Sequence, residues 1–118
     1  MASLYGSDSA LDGHFKTLLY DFYGAMLTEH QQQCFTLYHE DDCSLVEISE
    51  EMNTSPQAVS DLLRRTTQKL EKYETKLGLV QRYLLQLDTA QYMRGLIESL
   101  DEPMKKNLLT QLDALLRM

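Results

Sequence analysis

The sequence has few of the residues that interrupt helices. Its 118 residues include two prolines, five glycines and no tryptophan. Glycine and proline build the tight turns that join short strands, so their scarcity argues against an all-β chain. No stretch alternates apolar and polar residues between turn residues, as a half-buried strand does. Hydrophobic residues make up 43% of the sequence, which is enough for a packed core. We therefore predict an all-α protein.

Long apolar runs and clustered cysteines are also missing. No run approaches the ~20 apolar residues that a membrane-spanning helix needs. The start, MASLYGSDSALDG, lacks the basic segment followed by an apolar one that marks a signal peptide. Two cysteines without such a leader suggest free thiols in a reducing compartment. These absences predict a cytoplasmic protein that does not associate with membranes.

Positive charge is scarce, and this weakens one class of function. The chain has 11 Lys and Arg against 18 Asp and Glu, which gives a net charge of −7. Nucleic-acid binders gain much of their affinity by neutralising phosphates, so an acidic chain would need a local basic patch. From residue 29 to 51 there are seven acids and no Lys or Arg. That stretch would repel a phosphate backbone.

Motifs that carry enzyme chemistry are not found. The sequence has no glycine-rich phosphate loop, no dinucleotide fingerprint and no nucleophile elbow. We therefore predict neither an enzyme nor a protein with a cofactor or a small-molecule substrate. His30, Cys34, His39 and Cys43 have the spacing H-x3-C-x4-H-x3-C. Because the close Cys-x2-Cys pair of structural zinc sites is missing, we predict no metal site.

Helical periodicity and capping residues predict where the helices lie. A first amphipathic helix is expected from about residue 11 to 26. Two capping boxes, in which a hydroxyl and a Glu or Gln three residues later exchange hydrogen bonds, are predicted at Thr28 with Gln31 and at Ser44 with Glu47. Ser55 is expected to cap a further helix, whose first position suits Pro56. Met104 opens a final helix.

The stretch SLVEISEEMNTSPQAVSDLLRRT, residues 44–66, has the pattern of a helix-turn-helix. Ser49 would be the small residue where the helices cross, and Asn53 would take the left-handed position between them. The apolar residues that lock the two helices together would be Ile48, Met52, Val59 and Leu63. The predicted partner-binding residues on the second helix are Ser55, Gln57, Ser60, Arg64, Arg65, Lys69 and Lys72. Gln57 could pair with adenine, and the arginines with guanine or phosphate.

A heptad-like seam continues along the second helix. It consists of Val59, Leu63, Thr66, Leu70, Tyr73, Leu77, Val80, Leu84 and Leu87. The sequence leaves open whether one helix runs from Pro56 to near Leu100 or breaks near Gly78. The seam could be a core seam or a dimer interface, and we expect a homodimer. Similarly, Arg65, Lys69, Lys72 and Lys76 form either a phosphate-binding stripe or a solvated helix face. The predicted organisation is a tail over 1–10, a helix-turn-helix domain over 11–77 and dimerising helices over 78–118.

Three segments resemble the YlxM family of small bacterial helical proteins. They are YDFYGAMLT (20–28), FTLYHEDDCSLVEISEEMNTSPQAVSDLLRRT (35–66) and LEKYETKL (70–77). The resemblance implies a fold similar to the DNA-binding region 4 of sigma factors, a winged-helix-like helical domain. Many relatives carry Ser-Arg where this chain has Ser55-Pro56, and Tyr and Asn at the positions of Ser60 and Leu62. The presumed recognition face therefore has fewer groups that could contact bases.

The resemblance further implies a role in the signal recognition particle pathway. We expect a regulatory protein that binds a protein or nucleic-acid partner, such as the particle's protein or RNA. The alternative is a dimeric DNA-binding transcriptional regulator. A third hypothesis is a scaffold whose dimer is itself the functional product.

Overall fold

The computed structural model describes the backbone of residues 9–117 and the side chains of residues 13–117. Of the predicted tail over 1–10, residues 1–8 lie outside the described residues. The described chain is helical and contains no strand, which confirms the predicted all-α class. Its helices are α1 (Ser9–Tyr23), α2 (Glu29–His39), α3 (Leu45–Glu51), α4 (Pro56–Leu77), α5 (Leu79–Ile97) and α6 (Met104–Leu116). The chain divides into two compact units, the first ending at Val80 and the second beginning at Gln81.

The first helix ends earlier than the predicted residue 26. Its α-helical part stops at Tyr23, and Gly24–Met26 form a 3-10 turn. Gly24 is buried, and a Cβ there would lie 2.9 Å from the ring of Tyr20. The Gln32 side chain donates a hydrogen bond to the Gly24 carbonyl at 2.7 Å. This close packing around a glycine favours the tighter turn, which helical periodicity alone did not indicate.

The predicted starts of α2, α3 and α4 are confirmed. Capping boxes with both hydrogen bonds open α2, at Thr28, and α3, at Ser44. The hydroxyl of Ser55 accepts a hydrogen bond from the backbone N–H of Ala58, and Pro56 opens α4. These caps satisfy backbone donors that a helix start would otherwise leave without partners.

The long helix α4 forms the centre of the first unit. It packs against α1, α2 and α3. The residues of its buried face are Val59, Leu63, Thr66 and Leu70, which are the first four of the predicted seam. The first part of the seam is therefore a core seam within one chain. The seam does not stay buried throughout, since Leu77 is 56% exposed.

The structure decides between the two predicted paths after Leu77. Gly78 adopts a left-handed conformation with φ of 65°, and α5 starts immediately after it. The buried Tyr23 hydroxyl donates to Glu74 Oε1 at 2.5 Å and accepts from the backbone N–H of Leu79 at 3.1 Å. Glu74 Oε1 also accepts from the N–H of Val80 at 3.0 Å. The first two amide groups of α5 are thus satisfied by groups from α1 and α4.

The second unit contains the rest of α5 together with α6. Its buried residues form a small cluster of Ala90, Ile97 and Leu112, with Leu109 packed against it. Arg94 pairs with Asp113 at 2.5 Å, and Lys105 pairs with Glu98 at 2.8 Å, so ion pairs join the two helices. Many large apolar side chains are exposed in this unit, among them Leu85, Tyr92, Leu96, Met104 and Leu115. Over the described residues, no helix is both long and apolar enough to cross a bilayer.

Candidate functional site: the outward face of α4

The helix-turn-helix is formed by α3, a short turn and α4. Ser49 is buried, and its hydroxyl donates to the Val46 carbonyl at 2.6 Å. Asn53 has φ of 56°, as predicted, and the N–H of Thr54 donates to the Ser49 carbonyl at 2.9 Å. The predicted lock is confirmed: Ile48, Val59 and Leu63 are buried in one cluster with Cys34, and Met52 packs against it. The packing of α3 against α4 therefore fixes the direction in which the first turns of α4 face.

The predicted partner-binding residues all lie on α4 or at its N-cap, but not on one face. Gln57, Ser60, Arg64, Arg65 and Lys72 are exposed, whereas Lys69 is half-buried. Ser55 is also exposed, although its hydroxyl is already engaged as the cap. At 3.6 residues per turn, Gln57 and Arg64 project away from the buried face. Arg65, Lys69 and Lys72 follow one flank, and Ser60 follows the other.

Asp61 sits in the middle of this face and contacts both arginines. Its Oδ1 accepts a hydrogen bond from Arg64 Nη2, and its Oδ2 lies 3.0 Å from Arg65 Nε. Asp61 is not among the residues that the sequence predicts to bind a partner. The spacing in the sequence could have indicated these contacts, because residues three and four apart are neighbours on a helix surface. The two arginines therefore share one carboxylate.

The Ser60 flank of α4 faces a groove that sequence reasoning missed. Its volume is about 390 Å³. From α4 it is lined by Ser60, Leu63, Arg64, Thr67, Gln68 and Glu71; from the other helices it is lined by Lys16, Tyr38, His39 and Leu45. No sequence pattern could reveal it, because its opposite wall comes from three other helices. The groove carries both signs of charge and an aromatic ring, so it offers hydrogen bonds and stacking without a dominant charge.

The segment that precedes α4, from residue 29 to 51, is acidic. All seven acids between residues 29 and 51 are exposed. The backbone N–H of Ser44 donates to Glu47, and this hydrogen bond holds the pKa of Glu47 below its ordinary value. Such a surface disfavours a phosphate backbone and favours a partner with basic groups.

The two cysteines are free thiols whose pKa values are raised. Burial raises the pKa of Cys34. Loss of solvent contact raises the pKa of Cys43, and the nearby Glu47 and Asp41 carboxylates raise it further. Both shifts favour the neutral thiol over the thiolate. Within the described part of the chain, no three His, Cys, Asp or Glu side chains are grouped to hold a metal ion.

Comparison with known proteins identifies the family. A family model described as "Putative helix-turn-helix protein, YlxM / p13 like" matches residues 14–111. The chain belongs to this family, UPF0122. The match extends through both compact units, and so beyond the segments whose resemblance was recognised from the sequence. The predicted family and its helix-turn-helix fold are thereby confirmed.

Individual UPF0122 proteins match mainly over part of the chain. A relative from Caldanaerobacter subterraneus is 54% identical over 69 residues, which are 58% of this chain and 59% of the relative. One from Geobacillus kaustophilus is 54% identical over 65 residues, 55% of this chain and 59% of the relative. One from Latilactobacillus sakei is 47% identical over 81 residues, 69% of this chain and 72% of the relative. The chain thus spans about three fifths of the length of the first two relatives.

Proposed function

We propose that this UPF0122 protein is a cytoplasmic regulator that works by binding a macromolecular partner rather than by catalysis. The partner would belong to the signal recognition particle pathway, as the resemblance to the YlxM family implies. The observation that carries the proposal is the exposed first half of α4, held outward by the buried cluster around Ile48 and Val59. In helix-turn-helix proteins this is the part of the molecule that contacts a partner.

The charges of this face favour a partner that offers both signs. Arg64 and Arg65 project outward, but Asp61 lies between them. A few cations on an otherwise acidic chain give only a modest, salt-dependent attraction to phosphates. A protein surface, or an RNA seated on the particle's protein, would supply hydrogen bonds in addition to charge. These considerations support the particle's protein or RNA as the partner.

Recovery of partners from cell extract tests this proposal. Tagged wild-type protein should retain the particle's protein or its RNA at ~150 mM salt. The double variant Arg64→Ala, Arg65→Ala should lose it, whereas Lys106→Ala, which removes an exposed cation from α6, should not. Repeated recovery of neither component would reject the pathway. Retention by the double variant would reject α4 as the binding face.

A dimeric DNA-binding regulator is the second candidate, and the second unit favours it. A groove of about 480 Å³ between α5 and α6 has apolar walls that include Leu85, Met93, Leu112 and Leu115. Exposed apolar surface of this kind commonly marks a protein interface. We propose that residues 78–118 pair two copies of the chain, which would give the two helix-turn-helix units the symmetry of DNA half-sites.

Two measurements test this candidate. Sedimentation at micromolar concentration should give the mass of a dimer, and a monomer would remove the half-site argument. Binding to genomic DNA fragments at ~150 mM salt should select particular fragments. Gln57→Ala and Arg64→Ala should each then weaken binding by ~1–3 kcal/mol. If no fragment is selected, or neither variant loses affinity, the chain does not read DNA through α4.

A further inference from the structure

The shared carboxylate of Asp61 changes what the outward face of α4 offers to a ligand. Arg64 and Arg65 are 60% and 62% exposed in their side chains, so both can reach a partner. Asp61, however, bonds to one guanidinium through each of its two oxygens. The three side chains together carry one net positive charge, where the two arginines alone would carry two.

Exposed ion pairs such as these are weak, because water and salt screen them. A phosphate oxygen can therefore displace the Asp61 carboxylate from either arginine. The carboxylate nevertheless stays within a few ångströms of the arriving phosphate, because it is fixed to the same helix. A phosphate bound to either arginine is therefore repelled by the Asp61 carboxylate. A ligand that carries its own donor for Asp61 avoids this cost.

We infer that Asp61 is a specificity-determining residue that limits the binding of plain phosphate backbones to α4. Its negative charge lowers the attraction of Arg64 and Arg65 for any extended polyanion. A partner that pairs with Asp61 as well as with the arginines is favoured in comparison. The inference concerns the face that the proposed function uses, but it can be tested without knowledge of the natural partner.

Asp21 provides a matched control on α1. It is exposed and carries the same charge, and it lines neither the outward face of α4 nor the groove beside Ser60. Asp61→Asn and Asp21→Asn thus change the net charge equally, but only the first releases Arg64 and Arg65. A difference between the two variants therefore reports the local arrangement and not the overall charge.

The experiment measures binding of an arbitrary-sequence fluorescent DNA duplex to the full chain over a series of salt concentrations. Asp61→Asn should bind about three- to tenfold more tightly than wild type at ~0.1 M salt. The slope of log K against log salt should steepen by ~0.9, because one more phosphate is neutralised. Asp21→Asn should change the affinity by less than about twofold. Adding Arg64→Ala and Arg65→Ala to Asp61→Asn should abolish the gain.

Several outcomes would overturn the inference. Equal effects of Asp61→Asn and Asp21→Asn would mean that only net charge matters. An unchanged or weaker affinity of Asp61→Asn, or no measurable binding by any variant, would mean that Asp61 does not limit phosphate binding. Circular dichroism of each variant checks that it is folded. If extract experiments recover no particle component while the difference between the variants persists, the proposed pathway fails and the role of Asp61 stands.

Discussion

The first unit buries large side chains, whereas the second leaves most of its large side chains exposed. Among the described residues, the nine largest fully buried side chains all belong to the first unit, between Leu19 and Val80. The buried hydrophobic residues of the second unit are Ala90, Ile97 and Leu112. Two helices with so small a core gain little stability from burial. The first unit can thus hold a rigid exposed face, while the second has apolar surface available for a partner.

The hydrogen bonds that cap the helix starts are also more complete in the first unit than in the second. In the first unit, side chains cap α2, α3 and α4, and Glu74 accepts a hydrogen bond from the second amide group of α5. In the second unit, Pro103 stands at the N-cap of α6 and makes no side-chain capping bond. Local hydrogen bonding therefore defines the helices of the first unit more firmly. Three predictions probe this contrast and a fourth tests one of the caps of the first unit, beginning with the largest expected effect.

A pair of isoleucines compares the two cores directly. Ile48 is fully buried in the helix-turn-helix cluster, and Ile97 is 7% exposed in the small cluster of the second unit. Ile48→Ala should lower the free energy of unfolding by about 3–4 kcal/mol, because the dense packing around it cannot fill the cavity. Ile97→Ala should cost only about 1–2 kcal/mol, because sparse surroundings can collapse more easily. Urea denaturation followed by circular dichroism measures both values.

Equal losses for the two isoleucine variants would contradict the contrast between the cores. A loss for Ile97→Ala that shrinks when the protein is diluted would instead indicate that association covers the second unit. The contrast between the two cores would then hold only for the chain that is not associated with a second copy. Measuring both variants at two protein concentrations separates these cases.

A pair of tyrosines tests the buried hydrogen bonds at the start of α5. Tyr23→Phe removes the hydroxyl that joins Glu74 to the N–H of Leu79. Because it leaves a buried donor without its acceptor, we expect a loss of about 2 kcal/mol in the free energy of unfolding. Tyr92→Phe, in the second unit, changes a side chain that is 69% exposed and should have little effect. Thermal unfolding monitored by circular dichroism ranks the two variants. A Tyr23→Phe protein as stable as wild type would show that this network contributes little.

How far the sequence predicts this fold can be judged at α4. Helical periodicity identified its buried residues, because Val59, Leu63 and Leu70 recur at the spacing of one helix face. It could not identify the end of the helix, since a glycine within a helix costs only ~1 kcal/mol. The end depends on the left-handed conformation of Gly78 and on Tyr23, whose hydroxyl bonds to a residue 56 positions away. Contacts so distant in sequence leave no periodic signal.

The candidate site likewise contains some features that the sequence predicts and others that it does not. The outward position of Gln57 and Arg64 follows from the helical repeat once the buried face is known. The pairing of Asp61 with Arg64 and Arg65 follows from spacings of three and four residues. The groove beside Ser60 does not follow from any local rule, because Lys16 and Tyr38 reach it only through the packing of other helices. The sequence thus predicts the parts of the site that one helix supplies.

A pair of glycines gives a smaller effect, with opposite signs in the two units. Gly78 has φ of 65°, where an L-residue is strained, so Gly78→Ala should lower the free energy of unfolding by about 1 kcal/mol. Gly95 lies inside α5, and an added Cβ would meet nothing within 4 Å. Gly95→Ala should therefore raise the free energy of unfolding by about 0.5–1 kcal/mol, because alanine is the better helix former. Urea denaturation gives both values. Changes of the same sign would contradict the assigned helix break.

Glu47 gives the smallest effect, and its signature is a dependence on pH. The backbone N–H of Ser44, and then its side chain, lower the pKa of the Glu47 carboxyl below its ordinary value of 4.5. A carboxyl whose pKa is lowered by folding stabilises the protein above its unfolded pKa and loses this contribution as the pH falls through the folded pKa. Glu47→Gln should therefore be less stable than wild type at neutral pH, and the difference should shrink on acidification. The capping box of α2 uses the neutral Gln31 in the equivalent position, so the loss in Gln31→Ala should not depend on pH through this mechanism. Urea denaturation between about pH 3 and pH 7 tests both variants. Parallel curves for wild type and Glu47→Gln would mean that the ionised carboxylate does not stabilise the start of α3.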